Sequence, residues 1–225
     1  MKLSIIIPSY NEAATVVKTI NRVKKIQLKN ITKEIIVVDD GSTDSTRKKL
    51  SNVTNVIKIF LKKNQGKGAA IRHGLAKVSG DYVLIQDADL EYDPQDISAL
   101  LAPVLSGKAK VVYGSRFTGP HRNMLFWHLM GNKILSFMTN ILFNTTISDM
   151  EVGYKLIPTK LLKSLSPKSD RFGFEPEVTA KILKTGERIF EVPISYTGRE
   201  FSEGKKITWK DGLESFYLLW KYRLV

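Results

Sequence analysis

The chain has 225 residues, 43% of them hydrophobic, and a formal charge of +13; that is enough apolar content for one sizeable core and excludes a disordered chain. It contains no cysteine, which excludes disulfides, zinc–thiolate sites and cysteine nucleophiles, and its three histidines lack helical metal-ligand spacing. The excess of positive charge points to nucleic acid, an anionic membrane surface or a phosphate-rich substrate; with no long basic run and no aromatic RNA-binding signature, no nucleic-acid partner is expected.

Leu3 to Ile7 is a short apolar strand at the very start of the chain, without the flanks of a signal peptide. No stretch reaches the roughly 18 apolar residues that span a bilayer. These features predict a cytoplasmic protein, peripheral at the cytoplasmic face of the membrane. Ala13 to Ile26 has helical spacing, with Val16, Ile20 and Val23 on one face. Glu34 to Val38 is a second strand, and Ser42 or Thr43 is the expected cap of the helix after it. Val56 to Leu61 is a third strand, Lys67 to Lys77 a helix, Tyr82 to Gln86 a fourth strand, Pro94 to Leu105 a helix with proline in its first turn, and Val111 to Tyr113 a fifth strand. Further on, Met124 to Phe143 and Phe174 to Lys184 read as helices, Ile189 to Tyr196 as a strand, and Trp209 to Leu224 as an amphipathic helix. Strand–helix repeats with continuous apolar strands predict an α/β, Rossmann-like, mostly parallel sheet with helices on both faces.

Ligands of such sheets sit outside the carboxyl ends of the strands, and the polar clusters fall there. Asp87, Asp89 and Glu91 follow an uninterrupted apolar strand. At a spacing of two, all three point to one side if the chain stays extended, and such a cluster fits Mg2+ or Mn2+ with the phosphates it holds. Asp39-Asp40-Gly41-Ser42 ends another strand; Asp40 suits a base N–H or a ribose hydroxyl. Gly66-Lys67-Gly68 lacks the third glycine of a dinucleotide fingerprint and is not a Walker loop; it suggests a tight turn with backbone N–H groups near an anion. Arg116, after Gly114-Ser115, suits a phosphate through its planar fork.

Pro8-Ser9-Tyr10-Asn11-Glu12, Val38 to Asp44, Gly66 to Gly68, Asp87 to Glu91 and Gly114 to Arg116 together resemble the family 2 glycosyltransferases of GT-A fold, in particular the polyprenyl-phosphate branch typified by dolichol-phosphate mannose synthase. The resemblance implies a GT-A catalytic domain over residues 1–200, with 201–225 an acceptor loop and interface helix of the same domain. It implies that Pro8, Tyr10 and Glu12 line the nucleoside pocket with Asp40 near the base, that Lys67 and Gly68 lie beside it, that Asp87, Asp89 and Glu91 hold the divalent ion, and that Arg116 contacts phosphate. Asp149 to Lys155 resembles the acceptor-side segment, and Arg199 with Gly204-Lys205-Lys206 the acceptor-phosphate loop. Lys133 and Lys205 stand where the branch often has arginine or a different basic pattern, and serve as point charges rather than forks.

The implied reaction is an inverting, metal-dependent transfer of a hexose from a nucleotide-diphosphate sugar, GDP-mannose or a UDP-sugar, to a polyprenyl phosphate. That acceptor is already anionic and needs no general base; a saccharide hydroxyl, the alternative acceptor, would need one, and Asp149 is the candidate, with Glu151 behind it. Trp127, Met130, Ile134, Met138 and Ile141 form one apolar stripe; Trp209, Leu213, Phe216, Trp220 and Leu224 form another. Each fits either ordinary core packing or contact with a membrane surface.

Overall fold

The structure, a computed structural model, describes residues 1–199 and 209–224. In chain order the elements are β1 (Lys2–Ser9), α1 (Val16–Lys25), β2 (Thr32–Asp39), α2 (Thr46–Ser51), β3 (Ile57–Phe60), α3 (Lys67–Leu75), β4 (Tyr82–Ile85), a 3-10 turn (Pro94–Asp96), α4 (Ile97–Leu105), β5 (Val111–Ser115), α5 (Phe126–Phe143), β6 (Lys155–Pro158), α6 (Thr159–Leu165), α7 (Phe174–Lys184), β7 (Ile189–Pro193) and α8 (Trp209–Leu224).

Seven strands form one sheet in the order β3-β2-β1-β4-β6-β5-β7. β1 pairs in parallel with β2 and β4, β2 with β3, and β5 with β7; β6 runs antiparallel between β4 and β5. The central strands are apolar throughout because both faces are covered: Ile5, Ile6, Ile7, Ile36, Val38 and Leu84 are buried. Helix α3 packs on β1 and β2, α4 on β5 and β7, and α6 on β4 and β6. The reversed β6 and the following α6 were not visible in the sequence. Four residues between Tyr154 and Thr159 carry too little pattern to declare a strand.

Other departures are local. Ser42 and Thr43 do not cap α2, which begins at Thr46. Asp44 does that work, its Oδ1 accepting from the Thr46 N–H at 2.9 Å, while the Ser42 hydroxyl accepts from the Asn11 N–H at 2.9 Å. The Ile189–Tyr196 strand ends at Pro193, and Tyr196 makes isolated bridges to Tyr92 and His121.

Among the residues whose side chains the structure describes, which leave out Trp209, the two stripes are not core. On α5 the buried residues are Leu135, Ser136 and Thr139, whereas Trp127 is 81% exposed and Ile134, Phe137 and Ile141 are also exposed. On α8, Ser215, Leu218 and Leu219 are buried, while Leu213, Phe216, Trp220 and Leu224 face outward. A second small core of Leu135, Ile147, Met150, Ala180 and Leu219 joins α5, α7 and α8.

Helix α3 is clamped to the segment before α7. Gly68 N–H donates to Arg171 O at 3.2 Å and Ala69 N–H to Asp170 O at 2.9 Å, so these donors are occupied by backbone carbonyls rather than directed at an anion. A Cβ at Gly68 would collide with the Ser169 carbonyl oxygen. Gly68→Ala is therefore expected to cost about 2 kcal/mol, seen as a fall in melting temperature of about 6 °C.

Candidate active site

The carboxyl ends of β1, β2 and β4, with the loop after β3, meet at one edge of the sheet. Asn11 takes a positive φ of 52° and its side-chain oxygen accepts from the Thr43 N–H at 2.9 Å. The Glu12 N–H donates to the Thr46 hydroxyl at 2.9 Å. These bonds stitch the turn after β1 to the turn after β2. Pro8 is buried within β1 opposite Val38 and puts no ring on an open surface, while Tyr10 is half-buried at the rim.

Asp40 is buried and its carboxylate accepts from the Gln65 N–H at 2.9 Å, the Gly66 N–H at 2.7 Å and Asn64 Nδ2 at 2.9 Å. Burial raises its pKa while the two backbone donors oppose the rise. Its first task is thus to shape the 64–66 loop. Gly66 has φ 102° with Asp170 O against its α-carbon, a position no side chain can share.

The 87–91 segment is not extended. It turns, with Leu90 at φ 68°, and the expected three-carboxylate cluster is not assembled: among the described residues no group of three metal-ligating side chains is gathered. Glu91 is held by other partners, accepting from the Tyr196 hydroxyl at 2.8 Å and the Arg199 N–H at 2.9 Å. Asp87 and Asp89 remain. Burial, then the charges of Asp87 and Glu91, push the Asp89 carboxyl up to about 8. Two oxygen donors at a strand end would fit a hard divalent cation, the remaining ligands coming from phosphate oxygens and water.

Lys67 lies on Asp87, its ammonium 2.8 Å from Oδ1 and 3.0 Å from Oδ2, and reaches Glu175 Oε1 at 2.9 Å. Glu175, in the first turn of α7, was missed in the sequence, where it read as one more helical residue. Gly153 is required beside this pair, since a Cβ there would lie 2.5 Å from Asp87 Oδ2.

Asp149 and Arg116 are buried against each other. Arg116 Nε and Nη2 each donate to the Asp149 carboxylate at 2.7 Å, and the Arg116 N–H adds a third bond at 3.0 Å. The guanidinium also lies 5.3 Å from the Tyr196 ring centre. This pairing bears on two expectations. In this structure the Asp149 carboxylate is held in a forked ion pair, and the Arg116 fork is turned to Asp149. Behind them, burial and then the charge of Glu175 raise the Glu151 carboxyl to about 7, and its Oε1 has no partner. Burial lowers the Lys155 ammonium to about 8; it donates to Met150 O and Val152 O, both at 2.7 Å.

Of the residues expected on the acceptor side, Arg199 reaches the edge that carries Glu12 and Asp89. Nη1 and Nη2 bond Glu12 at 3.1 and 2.8 Å, and Nε and Nη2 bond the Asp89 carbonyl at 3.1 and 2.7 Å. Lys133 lies apart, its ammonium 3.9 Å above the Phe117 ring. Lys205, with the rest of the Gly204-Lys205-Lys206 motif, lies outside the described residues. A cleft of roughly 550 Å³ opens beside Glu12, Asp89 and Arg199.

A sheet edge with a fixed loop, two crowded carboxylates and a covering arginine belongs to a GT-A-type transferase. The chain belongs to glycosyl transferase family 2, whose family description matches residues 4–166, and it is a glycosyltransferase resembling the polyprenyl-phosphate branch. It is 30% identical to the UDP-N-acetylglucosamine–dolichyl-phosphate N-acetylglucosaminyltransferase of Methanococcus voltae, over 96% of this chain and 93% of that one. It is 28% identical to the dolichyl-phosphate beta-glucosyltransferase of Dictyostelium discoideum, over 87% of this chain and 66% of that one. Among solved structures, glucosyl-3-phosphoglycerate synthase from Mycobacterium tuberculosis, in complex with Mn2+, UDP and glucosyl-3-phosphoglycerate, has the same fold. Its TM-score is 0.78 at 20% identity, covering 100% of this chain and 80% of that one.

Because Arg116 is buried on Asp149, Asp149→Asn is expected to lower unfolding free energy by about 3–5 kcal/mol in denaturant titrations. A carboxylate serving only as a base would leave stability unchanged.

Proposed function

We propose that the protein transfers a hexose, with inversion, from a nucleotide-diphosphate sugar to a polyprenyl phosphate. The observation that carries the choice of acceptor is the Arg116–Asp149 fork. A hydroxyl acceptor must lose a proton as it attacks, and the carboxylate best located to take it has both oxygens occupied. A phosphate acceptor arrives already ionised. The relatives named as dolichyl-phosphate transferases support the same choice.

Asp40, Tyr10 and Glu12 would surround the nucleoside, with Asp40 acting chiefly through the loop it holds. Asp87 and Asp89 would hold Mg2+ or Mn2+, which neutralises charge developing on the leaving diphosphate; solved neighbours containing Mn2+ or Mg2+ with UDP support that cofactor. Arg199 would exchange Glu12 for the acceptor phosphate, and Lys133 and Lys205 would add positive charge for it. Arg116 keeps the acceptor floor rigid.

Assay against a panel of nucleotide sugars with Mn2+ is expected to give nucleotide release that depends on added polyprenyl phosphate. Asp89→Asn should lower that rate about 100-fold or more, several kcal/mol of transition-state stabilisation. Turnover with a saccharide acceptor alone would instead establish the alternative.

The outward apolar residues of α5 and α8, bordered by Lys133, Lys221 and Arg223, suit contact with a membrane surface. No helix among the described residues is long and apolar enough to cross one. The +13 charge favours an anionic leaflet, as at the cytoplasmic face. In flotation assays the protein is expected to rise with anionic vesicles and not with neutral ones. Replacing Trp127 and Phe137 with serine should reduce the bound fraction several-fold.

A further inference from the structure

We propose that Glu175 is a positioning residue for the carboxylates at the end of β4: it shares the Lys67 ammonium with Asp87, and takes that ammonium over when a divalent cation claims the Asp87 oxygens. The proposal rests on the cation reading of Asp87 and Asp89 given above.

The Lys67 ammonium sits across both Asp87 oxygens, at 2.8 and 3.0 Å. Those are the oxygens a divalent ion would approach to about 2.0–2.2 Å. Ammonium and dication cannot share them, because like charges at that separation repel strongly in a largely covered site. Lys67 must have somewhere to go, and its backbone cannot move far. It is the first residue of α3, and the next two N–H groups are bonded to Arg171 O and Asp170 O. Only the side chain can swing.

Glu175 meets that need. Its Oε1 already accepts from Lys67 at 2.9 Å. Its Oε2 is buried and has no hydrogen-bond partner, a costly condition for a carboxylate oxygen and one that calls for an explanation. An ammonium released by Asp87 would supply the missing donor. Glu175 lies in the first turn of α7, where the aligned peptide dipoles favour a negative charge, so it is a stable second anchor. Before the exchange Lys67 is shared by two carboxylates; after it, Lys67 and Glu175 form a neutral pair and Asp87 faces the cation.

The test is Mn2+ binding without nucleotide, followed by the electron paramagnetic resonance of free Mn2+, in Glu175→Gln, Lys67→Met and the double variant. Without its second anchor Lys67 stays on Asp87, so Glu175→Gln is expected to weaken Mn2+ binding about 10-fold. Lys67→Met removes the competitor and should tighten binding. In the Lys67→Met background, adding Glu175→Gln should change affinity less than about 2-fold, because the effect runs through the ammonium. An equal loss in both backgrounds, or none in the parent, overturns the proposal. Glu175→Asp keeps the charge at shorter reach and should be intermediate; if the double variant does not fold, an Asp variant indistinguishable from the Gln variant overturns it. A parent protein that takes up no Mn2+ alone is assayed with a saturating nucleoside diphosphate, which supplies the phosphate oxygens; no uptake there either overturns this proposal and the cation reading together, whereas Mn2+ uptake unaffected by Glu175→Gln overturns this one alone.

Discussion

Each carboxylate brought to the carboxyl edge of this sheet must be met by a cation or by N–H donors, since an unpaired buried charge is among the most expensive things a fold can hold. The site is ordered by how that demand is satisfied. Asp40 is met by loop N–H groups and so becomes the frame of the 64–66 turn. Asp87 is met by Lys67, Asp149 by Arg116, and Glu12 by Arg199. Asp89 is met by the Glu91 N–H at 3.1 Å, while burial and the charges of Asp87 and Glu91 raise its pKa. A polar edge built in this way has few idle groups: most side chains that would touch a ligand already hold another part of the chain.

The two halves of the chain contribute differently. The parallel half, from β1 to β4, delivers its residues by strand direction alone. The second half contributes through packing. Reversed β6 separates β4 from β5 in the sheet, and the residues before it, Asp149 to Tyr154, are drawn under the site as a buried floor. Tyr92 stacks on Tyr154 with ring centres 4.7 Å apart and accepts from the Gly153 N–H at 3.0 Å. The turn after β4 therefore rests on this floor. The clamp between α3 and residues 169–171 adds Glu175 to the same group.

This division explains what could be read in the sequence. Asp40, Lys67, Asp87 and Arg116 were legible because each follows an apolar strand in a strand–helix repeat, and period and topology place them at one edge. The partners were not. That Asp149 would grip Arg116, 33 residues away in sequence, or that Glu91 would turn to Tyr196 and Arg199, depends on long-range packing that no local period encodes. The three-carboxylate reading assumed an extended chain, but the strand ends at Ile85 and the chain turns from Ala88, with Leu90 at positive φ, so the alternation does not reach Glu91. The stripes of α5 and α8 were legible as stripes. Which face packs inward was not, because small and polar residues such as Ser136, Thr139 and Ser215 do the packing.

The outward apolar face and the buried floor of residues 149–154 are mechanically one piece. The Ser136 hydroxyl on α5 accepts from the Met150 N–H at 3.0 Å, and Asn140 Nδ2 donates to Ile147 O at 3.0 Å. Leu135, Ile147, Met150 and Leu219 share the second core. The segment that carries Asp149 to its bond with Arg116 is thus pinned from behind by the helix whose other side displays Trp127, Ile134 and Phe137. Close-packed elements move together rather than deform, so whatever surface engages that outer face is held at a fixed distance from the Arg116–Asp149 pair and from the turn above it. On the function proposed above, an acceptor anchored in such a surface would meet the Glu12–Asp89 edge at a set height.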